Sequence, residues 1–161
     1  MSKIKVGIVG VGNCAKSLVE GIQYYNSNPE DKVGLMYPDI GGYSTTDIEF
    51  VIGFDVDRRK VNRPLIEALR AAPNCAMDHV GEILEAGDNT PGAVADGAMV
   101  YSGPELDGIA PWMLEYPKEV SFRTGAEAAK SYDDIVGLIK NTKVDVLINY
   151  LPVGTEKGSR F

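Results

Sequence analysis

The run Lys3-Ile4-Lys5-Val6-Gly7-Ile8-Val9 passes directly into Gly10-Val11-Gly12-Asn13-Cys14-Ala15, after which apolar residues recur at Leu18, Val19 and Ile22. A short β-branched run reads as a buried strand, and the switch to helical spacing places a helix start near Asn13. Strand, glycine turn and helix thus follow one another at the head of the chain. This order constrains the fold more than any other feature, because parallel neighbours need a crossover connection and a helix between strands is its usual form.

The remainder repeats the alternation. Residues 26–47, rich in Asn, Pro, Gly and Asp, read as an inserted loop, and Ile48-Glu49-Phe50-Val51-Ile52-Gly53-Phe54 as a second strand closed by Asp55-Val56-Asp57. Helical spacing through Val61, Leu65, Ala68 and Leu69 predicts a helix over 58–71, which Pro64 can split. A helix over 77–86, a turn over 87–92 and a third strand at Ala98-Met99-Val100-Tyr101 follow. Leu106, Ile109, Trp112 and Met113 suggest a further helix, weakened by Pro111 and Pro117. Ser131 is placed to cap a helix over 133–141, with Asp134 at the capping-box position. A fourth strand is expected at 144–149, and Thr155 or Gly154 opens a last, short helix. The expectation is an α/β fold: a Rossmann-like, doubly wound parallel sheet forming a single domain over residues 1–161, cut short at its C-terminal end.

Gly10-x-Gly12-x-x-Ala15 fits a dinucleotide-binding turn position by position. Gly10 permits the tight turn, Gly12 lets the backbone approach a pyrophosphate, and Ala15 lets the helix pack close to the strand. The pyrophosphate would rest on the free N–H groups at the helix start, where the helix dipole favours an anion. Cys14 reads as a small residue beneath the nucleotide. Asp55 stands at the end of the second strand, where a carboxylate accepts hydrogen bonds from the adenosine ribose hydroxyls. It lies 43 positions after Gly12, beyond the usual spacing of about 20, and the insertion supplies the excess. An acid here repels a 2′-phosphate and favours NAD over NADP; Arg58-Arg59 could receive that phosphate, or could simply begin a solvated helix. Tyr150, Leu151 and Pro152 leave the carboxyl end of the fourth strand, where open α/β sheets bind ligands, and read either as contacts to the nicotinamide side or as packing.

Composition removes other classes. Sixteen Lys and Arg against 23 Asp and Glu leave a net charge of −7, which disfavours nucleic acid as a partner. No apolar stretch approaches the roughly 20 residues needed to span a bilayer, and the chain start lacks a secretory signal, so a cytoplasmic protein with no membrane partner is expected. Cys14 and Cys75 then read as free thiols. Cys75 and His79 share helical spacing, but no further ligand pattern accompanies them, so no metal is expected.

Five stretches, VGIVGVGNCAKSLVEGIQYY (6–25), GLMYPDIGGY (34–43), FVIGFDVDRRKV (50–61), SGPELDGI (102–109) and VDVLINYLPVGTE (144–156), resemble the inositol-phosphate synthase family in its bacterial and archaeal form. The resemblance implies an NAD-dependent isomerase that converts glucose 6-phosphate to inositol monophosphate by oxidation, enolisation, aldol cyclisation and reduction, for inositol and phospholipid synthesis. It implies a homo-oligomer, tetrameric when full length. Gly10, Gly12, Asn13, Cys14 and Ala15 match the family's phosphate turn, Asp55 its ribose carboxylate, and Ser102 with Tyr150-Leu151-Pro152 its cofactor cleft. The family's catalytic lysines and second domain fall beyond Phe161, so no catalytic residue is expected in this chain and none of its lysines is matched to a role. Two rivals stay open: another NAD-dependent Rossmann oxidoreductase, and a non-catalytic dinucleotide-binding module.

Overall fold

A computed structural model describes residues 3–78, 92–109, 111–125 and 129–161. Four strands, β1 (Ile4–Val9), β2 (Ile48–Asp55), β3 (Val94–Ser102) and β4 (Val146–Asn149), form one sheet. Their spatial order is β3-β2-β1-β4 and every pairing is parallel. That is the order of one half of a doubly wound sheet extended by one strand across its switch point. The expected α/β architecture is therefore present.

Helix α1 (Asn13–Ser27) starts where the change of period placed it and runs two residues into the segment expected to be loop. Ala15, Val19 and Ile22 are buried against Val6 and Ile8 of β1 and Phe50 of β2, with Leu65 and Leu69 of α2 (Leu65–Arg70) completing this cluster. A second cluster joins Val51, Ile52 and Phe54 of β2 to Ile135, Leu138 and Ile139 of α3 (Tyr132–Asn141). Both faces of the sheet thus carry helices, as parallel sheets require. Ser131 caps α3 in a reciprocal box: its Oγ accepts the Asp134 N–H at 3.2 Å, and Asp134 Oδ2 accepts the Ser131 N–H at 3.2 Å. The Ser131 hydroxyl also donates to Asp134 Oδ2 at 2.7 Å, and this bond foremost, with the Ser131 N–H, holds the Asp134 carboxyl below its ordinary pKa.

Several expectations needed correction. The helix expected over 58–71 is reduced to the six residues of α2, with Pro64 immediately before it. Residues 62–64 instead lie antiparallel along the outer edge of β3: the Asn62 N–H donates to Val100 O at 2.8 Å and the Val100 N–H to Arg63 O at 2.9 Å. Pro64 disfavours helical backbone at Arg63, and Asn62 tolerates the left-handed conformation it adopts, φ +59°. The helix expected around 106–113 is only a 3-10 turn at Pro111–Glu115, where the prolines remove N–H donors. β3 is longer than its apolar run: Val94 already pairs with Phe50, and an irregularity leaves residues 95–98 without register partners before Met99 pairs with Ile52. β4 begins two residues late, and the chain ends in a short helix, α4 (Glu156–Arg160), with Thr155 at its N-cap. The expected helix over 77–86 and His79 lie outside the described residues. Among the described residues no helix is long and apolar enough to cross a membrane, and no group of three or more His, Cys, Asp or Glu could hold a metal ion.

Candidate functional site

The carboxyl ends of the strands converge on the turn after β1. Gly10 donates its N–H to Phe54 O of β2 at 2.9 Å, and Tyr150 donates to Val9 O at 2.7 Å, so the turn is tied to the strand on either side. Gly10 adopts φ +88°, and a Cβ there would approach Tyr150 O to 2.9 Å. Both facts demand glycine for reasons internal to the protein. Gly12 differs: its φ is −96°, and a Cβ built on it meets no atom within 4 Å beyond its own stretch of backbone and its chain neighbours. Nothing in the fold excludes a side chain there, and the space it would fill opens onto a cleft.

Gly12 is also the N-cap of α1, and no side chain caps that helix end. The first intrahelical bond runs from the Lys16 N–H to Gly12 O at 3.0 Å, which leaves the preceding N–H groups without helical acceptors. Gly12, Asn13 and Cys14 at this helix end line a cleft of about 380 Å³ together with Gly10, Asp55, Tyr150, Leu151, Pro152, Lys60 and Asn74. A glycine that leaves room beside an uncapped, positive helix end suits the pyrophosphate of a dinucleotide. Eight of the ten residues expected from sequence are therefore brought to one cleft. Ala15 is fully buried and serves packing alone, while Ser102 sits buried beside Asp55 and it is Gly103 and Pro104 that reach the cavities. A second, mainly apolar cavity of about 470 Å³ adjoins the first at Asp55, Val56, Pro104 and Leu151, and extends between β4 and α3.

Polar groups around the turn are extensively paired. Asp55 is 8% exposed, and its carboxylate accepts the N–H of Val11 at 2.8 Å, of Val56 at 2.7 Å and of Asp57 at 2.9 Å. Asn13 Oδ1 accepts the N–H groups of Cys75 and Ala76, both at 2.8 Å, and Lys16 Nζ donates to Ala76 O at 2.6 Å and pairs with Asp78. Residues 74–78 are thereby drawn across the turn. Cys14 and Cys75 are free and exposed. Asp107 accepts the N–H groups of Glu156, Lys157 and Gly158 at 2.8 to 2.9 Å, joining the segment after β3 to the start of α4 at the far wall. The Lys157 N–H foremost, with that of Gly158, holds the Asp107 carboxyl below its ordinary value.

Of Arg58 and Arg59, the pair weighed as receivers for a 2′-phosphate, Arg58 is exposed and Arg59 is engaged elsewhere. Its Nε donates to Asp57 Oδ1 at 2.8 Å, and its Nη2 to Asp57 Oδ2 at 2.5 Å and Ser121 O at 2.7 Å. Burial pushes the Asp57 carboxyl up, but the Arg59 side chain and N–H, with the Arg123 N–H, outweigh it and hold the group below its ordinary value. Sequence reading missed Lys60 and Asn74. Lys60 is 1% exposed and donates to Val11 O at 2.7 Å and Asn74 Oδ1 at 2.8 Å, with Asp55 Oδ2 at 3.8 Å. Its place in the basic run Arg58-Arg59-Lys60 signals solvent, not a buried partner.

No family model matches the chain. Among curated proteins it is 41% identical over 161 residues to the inositol-3-phosphate synthase of Mycolicibacterium smegmatis, 38% over 162 residues to that of Corynebacterium glutamicum and 39% over 162 residues to that of Mycobacterium tuberculosis. Each alignment covers 99% of this chain and 39% of the relative, so the chain spans about two fifths of the length of the curated relatives it matches. Two crystal structures share the fold. Ari2 matches with TM-score 0.71 at 24% identity over 98% of this chain and 41% of its own. A myo-inositol-1-phosphate synthase-related protein from Thermotoga maritima matches with TM-score 0.61 at 19% identity over 92% and 34%.

Proposed function

Because the chain resembles inositol-3-phosphate synthases along nearly its whole length, we propose that it is the NAD-binding portion of such an enzyme, acting in inositol and phospholipid synthesis. The observation that carries the reading is Gly12: the fold leaves that Cβ position open, beside an uncapped helix end that lines the cleft.

In this reading the N–H groups at the start of α1 bind the pyrophosphate, the helix dipole adding favourable field. Asp55 accepts a ribose hydroxyl at the acceptor site its three backbone donors leave unused, since a carboxylate offers about four lone-pair sites. Tyr150, Leu151 and Pro152 line the nicotinamide side and exclude water from it. Arg59 is committed to Asp57 while Arg58 stays exposed, so the preference for NAD over NADP rests on the Asp55 carboxylate, whose charge repels a 2′-phosphate. When bound, NAD supplies the hydride acceptor and later the hydride donor of a conversion from glucose 6-phosphate to inositol monophosphate with no net redox change. This chain contributes binding and orientation, and the acid–base groups of the sugar chemistry come from outside it; alone it does not turn over. The full enzyme is a cytoplasmic homo-oligomer, tetrameric by the family resemblance.

A chimaera tests the activity. This chain replaces the matching two fifths of the M. smegmatis synthase, and conversion of glucose 6-phosphate is followed by inositol phosphate formation. The reading expects NAD-dependent conversion that Gly12→Val abolishes. A folded chimaera that binds NAD but forms no inositol phosphate would overturn the synthase assignment in favour of another NAD-dependent enzyme or a binding module.

A further inference from the structure

Val11, between the two glycines of the turn, has both of its peptide groups held by side chains of opposite charge. Its N–H donates to Asp55 Oδ2 at 2.8 Å, and its carbonyl accepts from Lys60 Nζ at 2.7 Å and from Asn74 Nδ2 at 3.1 Å. Its own side chain is fully buried. We propose that Lys60 is a positioning residue of the dinucleotide cleft, which with Asp55 clamps the Val11 peptide groups and so fixes the turn that receives the pyrophosphate. The inference rests on the NAD-binding reading and deepens it.

Glycine gives up more conformational freedom on ordering than any other residue, so a turn flanked by Gly10 and Gly12 is soft unless something else holds it. Hydrogen bonds from charged groups are roughly twice as strong as neutral ones, and more so where water is excluded. Lys60 satisfies both conditions, since it is 1% exposed and its ammonium lies beneath the turn. Burying an ammonium is unfavourable without partners, and its partners here are the turn carbonyl, Asn74 and the Asp55 carboxylate. Burial lowers the Lys60 pKa from its ordinary value, while Asp55 and then Asp57 oppose that shift.

The clamp also gathers separate segments: Lys60 comes from the turn after β2, where its N–H donates to Asp57 O at 2.9 Å, and Asn74 from the stretch after α2, where its Nδ2 also donates to Leu69 O at 2.9 Å. With two donors committed to Val11 and Asn74, Lys60 acts on a bound dinucleotide through the turn. Its positive charge adds to the field that the helix end presents.

The test compares adenosine, ADP-ribose and NAD as ligands of the wild-type chain and of Lys60→Met and Asn74→Ala, by calorimetry and NMR titration, with circular dichroism to establish folding. The clamp predicts that Lys60→Met weakens ADP-ribose and NAD about tenfold or more and weakens adenosine, which has no phosphate and meets only Asp55, much less. Asn74→Ala should show the same pattern with a smaller loss, and it decides the matter if Lys60→Met does not fold. A folded variant that binds NAD like the wild type, or loses adenosine and NAD in equal measure, overturns the clamp alone. Failure of the wild-type chain to bind ADP-ribose or NAD overturns the cofactor reading and the clamp with it.

Discussion

Gly10 and Tyr150 meet across the switch point of the sheet: a Cβ on Gly10 would stand 2.9 Å from the Tyr150 carbonyl oxygen. The turn after β1 is pressed against the exit of β4, and the glycine there answers to the fold. Two positions on, Gly12 has no atom from beyond its own stretch of chain within 4 Å of its Cβ position. The two glycines of one motif therefore have separate causes, and substitution should separate them.

Gly10→Ala should destabilise the chain by about 1–3 kcal/mol, the scale for forcing a side chain into the left-handed region, before any clash is counted. Gly12→Ala should cost at most about 1 kcal/mol, as for a helix cap, and yet weaken NAD binding about tenfold or more, since it places a methyl where the pyrophosphate approaches. Urea unfolding of both variants and an NAD titration of Gly12→Ala check the split. Equal destabilisation with unchanged NAD affinity would count against the site.

Asp55→Ala removes the acceptor for the Val11 N–H and the partner of Lys60. Loss of a charged hydrogen-bond partner is worth about 1–3 kcal/mol, and it should be seen in both stability and NAD affinity, because the same carboxylate holds the turn and faces the cleft. Calorimetry and urea unfolding on the same variant measure both. An effect on stability alone would make Asp55 purely structural.

Ser131→Ala deletes one half of the box that starts α3. A cost of about 1 kcal/mol is expected, visible in the urea midpoint. Since the cap lies on the helix that covers Val51, Ile52 and Phe54, and Ser131 itself lines neither cavity, NAD affinity should not change.

Acid should destabilise the fold in a window set by Asp57 and Asp134, whose folded pKa values lie below their ordinary ones. The unfolded chain takes up these protons first, near the ordinary value of about 3.9. Their contribution is thus complete above that pH and is lost as pH falls through the lower folded values. Urea midpoints should be level at weakly acidic pH and fall below about pH 4, and Asp57→Asn should flatten part of that fall. An Asp57→Asn variant with the wild-type acid slope would contradict the assignment.

What could be read from sequence was local. The β1 turn, the start of α1 and the Ser131 cap each depend on residues within a few positions, and all stand where expected. Pro64 marked the break before α2 locally, but the pairing of residues 62–64 with β3 across the fold left no sequence signal. Lys60 escaped for a related reason, since charge patterning says only that a basic run faces water, whereas its partners lie on the turn at Val11 and beyond α2 at Asn74. The Asp107 bonds to the start of α4, 49 to 51 positions away, have no periodic signature at all. The glycine motif could be assigned as a unit, but only the packing around each Cβ distinguishes Gly10 from Gly12.

The central claim is that this cleft takes NAD, and titration calorimetry of NAD and NADP into the 161-residue chain tests it most directly. The account predicts saturable one-to-one binding of NAD, with NADP weaker because Asp55 repels its 2′-phosphate and Arg59 is held by Asp57. A folded chain that binds neither, or prefers NADP, would contradict it.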